Sequence, residues 1–263
     1  MKESTRLKLR SAAVLIVFPI SVLIAYIIYA FVLGDPSNFV DGNNANEPLQ
    51  NNYLGVIYKG GPLVVLLIAF QVILLTFIIE RSITIFKANG KANNNLFVKR
   101  IKTLIQGSRI DEAIKVCDDQ KGSSANVLKN GLQMLNSLSN KENKEESIAM
   151  VQKEIDDTTY LEIPHLNKNM NIISTLASIS TLAGLLGTVT GMIKAFSALA
   201  RVGSPDAVGL AAGISQALVT TALGISTALV AIVFYNIFTG RIDNIIDSIE
   251  QGSMSIMDHI KRK

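Results

Sequence analysis

The chain has 263 residues, of which 49% are hydrophobic and only 17% charged, with a formal net charge of +4. A soluble domain of this size carries about a quarter charged residues, and the apolar excess here is clustered, so the composition points to membrane helices rather than one large soluble core. No basic stripe with interleaved aromatics occurs, which argues against nucleic-acid binding.

Residues 1–34 hold a basic leader (Lys2, Arg6, Lys8, Arg10) and an uncharged run from Ala12 to Leu33. That run exceeds the roughly 7–15 residues of a secretory core, and no small-x-small cleavage site follows it, so it reads as a retained membrane helix. Pro19 is expected to kink it. Residues 35–60 read as a loop, rich in Asn, Asp and Pro from Asp35 to Asn52. Residues 61–85 hold a second membrane helix, apolar from Gly61 to Ile79, with Pro62 suited to the first helical position.

Residues 86–168 are polar and helical in pattern. Phe97, Ile101, Leu104 and Ile105 share one helical face, as do Ile110, Ala113 and Val116. Gly107-Ser108 and Gly122-Ser123-Ser124 mark breaks. Val127, Leu128, Leu132 and Leu135 mark another helix, and a further one runs from about Glu145 to Tyr160 before Pro164. The lone cysteine, Cys117, reads as a small buried apolar residue.

Residues 169–240 contain two more spans, Asn169 to Ile193 and Ala207 to Gly240, joined by a short link. Both are laced with Gly, Ser and Thr, and neither contains a carboxylate. On the first, Ser174, Thr181 and Thr188 recur every seven residues with Gly184, Gly187 and Gly191 among them. Such small residues let helix backbones approach closely. On the second, Gly213, Gln216, Thr220, Gly224 and Thr227 form a stripe with Thr221 at its edge. Gln216 is costly to leave unpaired in hydrocarbon and needs a partner. Lys194 is expected to snorkel to the interface, and Arg201 and Asp206 to pair across the link. Residues 241–263 form a tail ending in Lys261, Arg262 and Lys263.

Lys and Arg cluster in the leader, after the second span (Arg81 to Lys102) and in the tail, whereas the links around residues 34–60 and 203 hold only Lys59 and Arg201. The positive-inside rule then puts both termini inside. There is no Walker sequence, no GxGxxG after a strand and no nucleophile elbow, so neither an enzyme nor a cofactor is expected. His165 and His259 lie far apart, which makes a metal site an unlooked-for outcome.

The run Leu182-Ala-Gly-Leu-Leu-Gly-Thr-Val-Thr-Gly-Met-Ile-Lys-Ala-Phe196 resembles the signature of the ExbB/TolQ/MotA proton-channel family. Ala212-Gly-Ile-Ser-Gln-Ala-Leu-Val-Thr-Thr-Ala-Leu-Gly-Ile225, Ala231-Ile-Val-Phe-Tyr-Asn236 and Ile78-Ile-Glu-Arg-Ser82 extend the resemblance, closest to the ExbB branch. It implies an all-α, polytopic membrane protein with four transmembrane helices and a helical cytoplasmic domain. It also implies a homopentamer in the bacterial inner membrane around an ExbD-like single-span protein that supplies an aspartate, and coupling to a TonB-like protein. Residues 35–60 would then be periplasmic, and residues 86–168 and 241–263 cytoplasmic. Thr188 and Thr221 match the family's pore-facing threonines; Gln216 and Thr181 join them as pathway candidates, and Gly184, Gly187, Gly191 and Gly224 are packing candidates. Two departures stand out: Gln216 replaces a glutamate usual in ExbB-like proteins, and the extra first helix gives the four-helix layout of MotA. A TolQ-like or MotA-like stator subunit is the alternative, and a secondary transporter or passive scaffold the alternative of another class.

Overall fold

The computed structural model describes residues 16–138, 144–200 and 206–262. Described residues form α1 (Ile16–Leu33), α2 (Tyr53–Tyr58), α3 (Pro62–Asn89), α4 (Asn94–Gln106), α5 (Ile110–Gln120), α6 (Gly122–Ser137), α7 (Lys144–Asn167), α8 (Met170–Leu199) and α9 (Ala207–Arg262). Among them there is no β-strand; Phe39 and Pro48 make an isolated bridge. The protein is all-α, and four of its helices, α1, α3, α8 and α9, are long and apolar enough to cross a membrane. The chain groups into two units, Met1–Ile78 with Ile172–Phe234, and Ile79–Asn171 with Tyr235–Lys263.

In the first unit, α1 continues through Pro19, and its departure from α geometry comes later, as a π-helical segment at Ile28–Leu33. Asn38 Nδ2 closes that end by donating to the carbonyls of Val32 (2.9 Å) and Leu33 (3.1 Å). Asn52 Nδ2 in turn donates to Asn38 Oδ1 at 2.9 Å, and Asn52 Oδ1 caps α2 by accepting from the N–H groups of Leu54 and Gly55. The asparagine-rich loop is thus held by side-chain bonds that satisfy helix ends. Tyr29 stacks on Tyr58 at 4.6 Å between ring centroids. Ala25, Leu33, Val64, Ile68 and Ala69 form the buried apolar cluster beneath.

In the second unit, the spacing of apolar residues has its expected result. Phe97, Ile101, Leu104 and Ile105 of α4, Ala113 and Cys117 of α5, and Val127, Leu128 and Leu132 of α6 are buried. Val151 and Ile155 of α7 join them, as do Ile242, Ile245, Ile249, Ile256 and Ile260 of α9. Gly90 (φ +78°) and Gly122 (φ +84°) have left-handed backbones. A Cβ on Gly90 would strike the Gln120 and Lys121 carbonyls, and one on Gly122 the Ala88 carbonyl, so α3 can end hard against the α5–α6 turn. Helix α7 carries Pro164 and extends to Asn167, seven residues beyond Tyr160. Proline removes one donor, and so one hydrogen bond, close to the C-terminal end, where the last carbonyls of a helix lack intrahelical partners in any case.

Arg81, in the later part of α3, is 1% exposed. Its guanidinium donates to Glu80 from Nε at 2.6 Å and from Nη2 at 2.5 Å, and Nη1 donates to the Leu166 carbonyl at 3.3 Å. Asn169, with φ +61° between α7 and α8, donates to Glu80 Oε2 at 3.3 Å. Cys117 is 2% exposed, and burial, with the neighbouring Asp118 carboxylate, pushes its thiol up to about 12. At pH 8 it should alkylate roughly a thousandfold more slowly than a free cysteine until the chain is unfolded. Labelling of the native chain by iodoacetamide at the free-thiol rate would contradict this burial.

Candidate functional site: the seam between α8 and α9

Helices α8 and α9 pack through glycine and alanine. A Cβ on Gly213 would lie 2.6 Å from the Ala195 nitrogen and 2.7 Å from the Gly191 carbonyl oxygen. One on Gly191 would lie 2.7 Å from the Gly213 carbonyl oxygen and 2.8 Å from the Ala217 nitrogen. Deeper along the seam, Gly184 faces Gly224 backbone to backbone, and a Cβ on Gly224 would lie 2.6 Å from the Ser180 carbonyl oxygen. A Cβ on Gly187 would collide with the Thr220 side chain. All four glycines read from the sequence as packing positions lie in this seam.

Such close approach brings polar side chains of the two helices together. The Thr188 and Thr221 hydroxyl oxygens are 2.5 Å apart. Thr221 can also donate to the Ala217 carbonyl at 2.9 Å or the Gly184 carbonyl at 3.3 Å, and Thr188 to Gly184 at 3.3 Å. Each hydroxyl has one proton and two lone pairs. The pair therefore has two complete arrangements: Thr188 donates to Thr221 and Thr221 to Ala217, or Thr221 donates to Thr188 and Thr188 to Gly184. Both side chains are half-buried, at the edge of the seam.

Gln216 is 7% exposed, and its Oε1 accepts from Lys194 Nζ at 2.9 Å. Its amide also lies against the turn into α3, where a Cβ on Gly61 would sit 3.5 Å from it. The partner that Gln216 required is therefore Lys194, and the lysine stem turns toward the neighbouring helix. Spacing alone gave no signal for that direction. The stripe Gly213, Gln216, Thr220, Gly224 and Thr227 is buried throughout, with Thr221 at its edge. Thr220 and Thr227 bond carbonyls of their own helix. Thr181 stands apart: it is exposed and donates to the Ala177 carbonyl at 3.1 Å, one turn back. Ser180 was not singled out in the sequence. It is 0% exposed and its Oγ lacks a hydrogen-bond partner among the described residues. Arg201 lies outside the described residues, while Asp206 accepts from the Gly209 N–H at 2.8 Å and caps α9. Among the described residues, no group of three His, Cys, Asp or Glu is placed to hold a metal ion.

Comparison with known proteins bears on this same stretch. A family model described as the MotA/TolQ/ExbB proton channel family matches residues 119–251, which include every seam residue named above. A Tol-Pal system protein TolQ of Haemophilus influenzae is 28% identical over 213 residues, covering 79% of this chain and 91% of that protein. An ExbB-like biopolymer transport protein of Synechocystis is 35% identical over 86 residues, 32% of this chain and 41% of that protein. An ExbB homologue of Methanothermobacter thermautotrophicus is 34% identical over 100 residues, 38% of this chain and 35% of that protein. The chain thus aligns with less than half the length of these last two relatives.

Proposed function

This chain belongs to the MotA/TolQ/ExbB proton channel family, and on that premise we propose that it is an ExbB-like inner-membrane subunit of a motor driven by proton flow. Several copies, five in this reading, surround the membrane helix of an ExbD-like single-span partner, and proton flow through the assembly powers TonB-dependent transport across the outer membrane. The observation that carries the reading is the Thr188–Thr221 hydroxyl pair, 2.5 Å apart between two helices that contain no carboxylate from 169 to 200 or from 207 to 240. Two reversible hydrogen-bond arrangements suit handing on a proton, and the missing acid is what a partner's aspartate would supply. Lys and Arg flanking the spans support both termini being cytoplasmic. A TolQ-like role is the second reading, favoured by the alignment with TolQ over 79% of the chain.

The test uses the chain co-purified with its single-span partner in liposomes under a potassium diffusion potential. Thr221→Val and Thr188→Ala should each lower proton uptake about tenfold, the order expected for losing a relay hydrogen bond of about 1 to 1.5 kcal/mol. Particle size should not change. Wild-type uptake by both variants would remove the hydroxyl pair from the pathway. Dependence of colicin import or outer-membrane integrity on the gene, with metal–chelate uptake intact, would favour the TolQ-like reading.

A further inference from the structure

Lys194 is the only charged residue between 169 and 200, and the stretch from 207 to 240 has none. Its ammonium does not run toward the near end of α8. Gly213 packs against Ala195 and Gly191, so the α9 residues around 213 are level with Lys194. Gln216, which the ammonium reaches at 2.9 Å, lies three residues farther from the α8–α9 turn, about 4.5 Å along the axis. A snorkelling lysine would extend the other way. The lysine as a whole stays exposed, and its ammonium is held at the edge of the seam by Gln216. Gln216 satisfies one of its three donors but, as a neutral amide, cancels none of its charge. Thr221 lies five residues past Gln216 on the same helix, about 7.5 Å along the axis. The field of Lys194 thus falls on the hydroxyl pair with no carboxylate between 169 and 200 or between 207 and 240 to offset it; Asp206, the cap of α9, lies on the other side of Lys194, toward the α8–α9 turn.

We propose that Lys194 is an electrostatic guard: it bars cations from the hydroxyl-bearing seam of this chain until a negative charge from another molecule offsets it. A unit charge at roughly 10 Å, with an effective dielectric of about 20, changes the local weight of a monovalent ion by about tenfold. The assembly of this chain alone is consequently tight to cations, and conduction depends on the arrival of an acid. The proposal rests on the channel reading above, but its test needs no partner.

Purified chain without partner is placed in phosphatidylcholine vesicles, which carry no net lipid charge, and leaks of H⁺, K⁺ and Cl⁻ are measured. Lys194→Gln should raise the H⁺ and K⁺ leaks about tenfold and lower the Cl⁻ leak. Lys194→Arg, which keeps the charge, should match wild type. Opposite movement of cation and anion leaks separates a guard from simple loosening of the helices, which would raise all three. Unchanged leaks in Lys194→Gln, or a rise in all three, would overturn the guard. Absence of proton flux when wild-type chain is combined with its partner would instead sink the channel reading.

Discussion

Gly213→Leu should lose about 3 kcal/mol or more of stability and separate α8 from α9. A Cβ at this position meets the Ala195 nitrogen at 2.6 Å, the Gly191 carbonyl oxygen at 2.7 Å and the Ala195 Cα at 2.8 Å. All three are backbone atoms, so no side-chain rotation can make room and the helices must part. Overpacking a tight site typically costs about 1–3 kcal/mol. Parting would also stretch the Thr188–Thr221 contact of 2.5 Å and the Lys194–Gln216 bond of 2.9 Å. Gly213→Ala should fall between this variant and wild type. Gly240→Ala is the control: a Cβ there meets nothing within 4 Å, so the change should be neutral or stabilising by up to about 1 kcal/mol, the difference in helix propensity. Thermal unfolding in detergent would measure all three. If Gly213→Leu melts with wild type, the two helices are not packed backbone to backbone.

Glu80→Ala should destabilise the protein more than Arg81→Met does, although the two residues form one ion pair. Arg81 is 1% exposed in its side chain whereas Glu80 is 41% exposed. Removing the carboxylate leaves a buried guanidinium with the Leu166 carbonyl, 3.3 Å away, as its remaining acceptor among the bonds described. Stranding a buried charge costs about 3–5 kcal/mol. Removing the arginine leaves a carboxylate that water can reach, and methionine retains much of the buried stem, so about 1–2 kcal/mol is expected. The double variant should be milder than Glu80→Ala alone. Equal losses in the two single variants would mean that burial of Arg81 is not what makes the pair matter.

Much of the seam was legible because it is a matter of spacing. Gly184, Gly187 and Gly191 on one helix and Gly213, Gln216, Thr220, Gly224 and Thr227 on the other repeat at three- and four-residue steps, and helix geometry then places each set on one face. Thr188 and Thr221 were matched through resemblance, and the structure places their hydroxyls in contact. Thr181 shares Thr188's period, yet it is exposed because the seam covers only one flank of that face. Side-chain direction was not legible: Lys194 was expected to snorkel to the interface, and its four rotatable bonds let it reach Gln216 instead. The extent of α9 was hidden for a different reason. The apolar run ends at Gly240, but the helix continues to Arg262 and buries Ile242, Ile245, Ile249, Ile256 and Ile260. That three-and-four spacing is an amphipathic signal, visible once the search is for a soluble helix face rather than a membrane span. Composition identified the segment after α1 as a loop, but not the bonds by which Asn38 and Asn52 tie it together.

The late half of α9 also dictates an order of assembly. Gly252 packs against Leu128, Gly131 lies against both Ile155 and Ile256, and Ser124 donates to the Ile245 carbonyl at 3.4 Å. The core built on α4 to α7 is therefore completed by residues synthesised more than a hundred positions later, after two membrane-spanning helices have left the ribosome. Until then the apolar faces of α6 and α7 have no α9 to cover them, which makes them a natural place for a chaperone to act and a liability for a chain cut short.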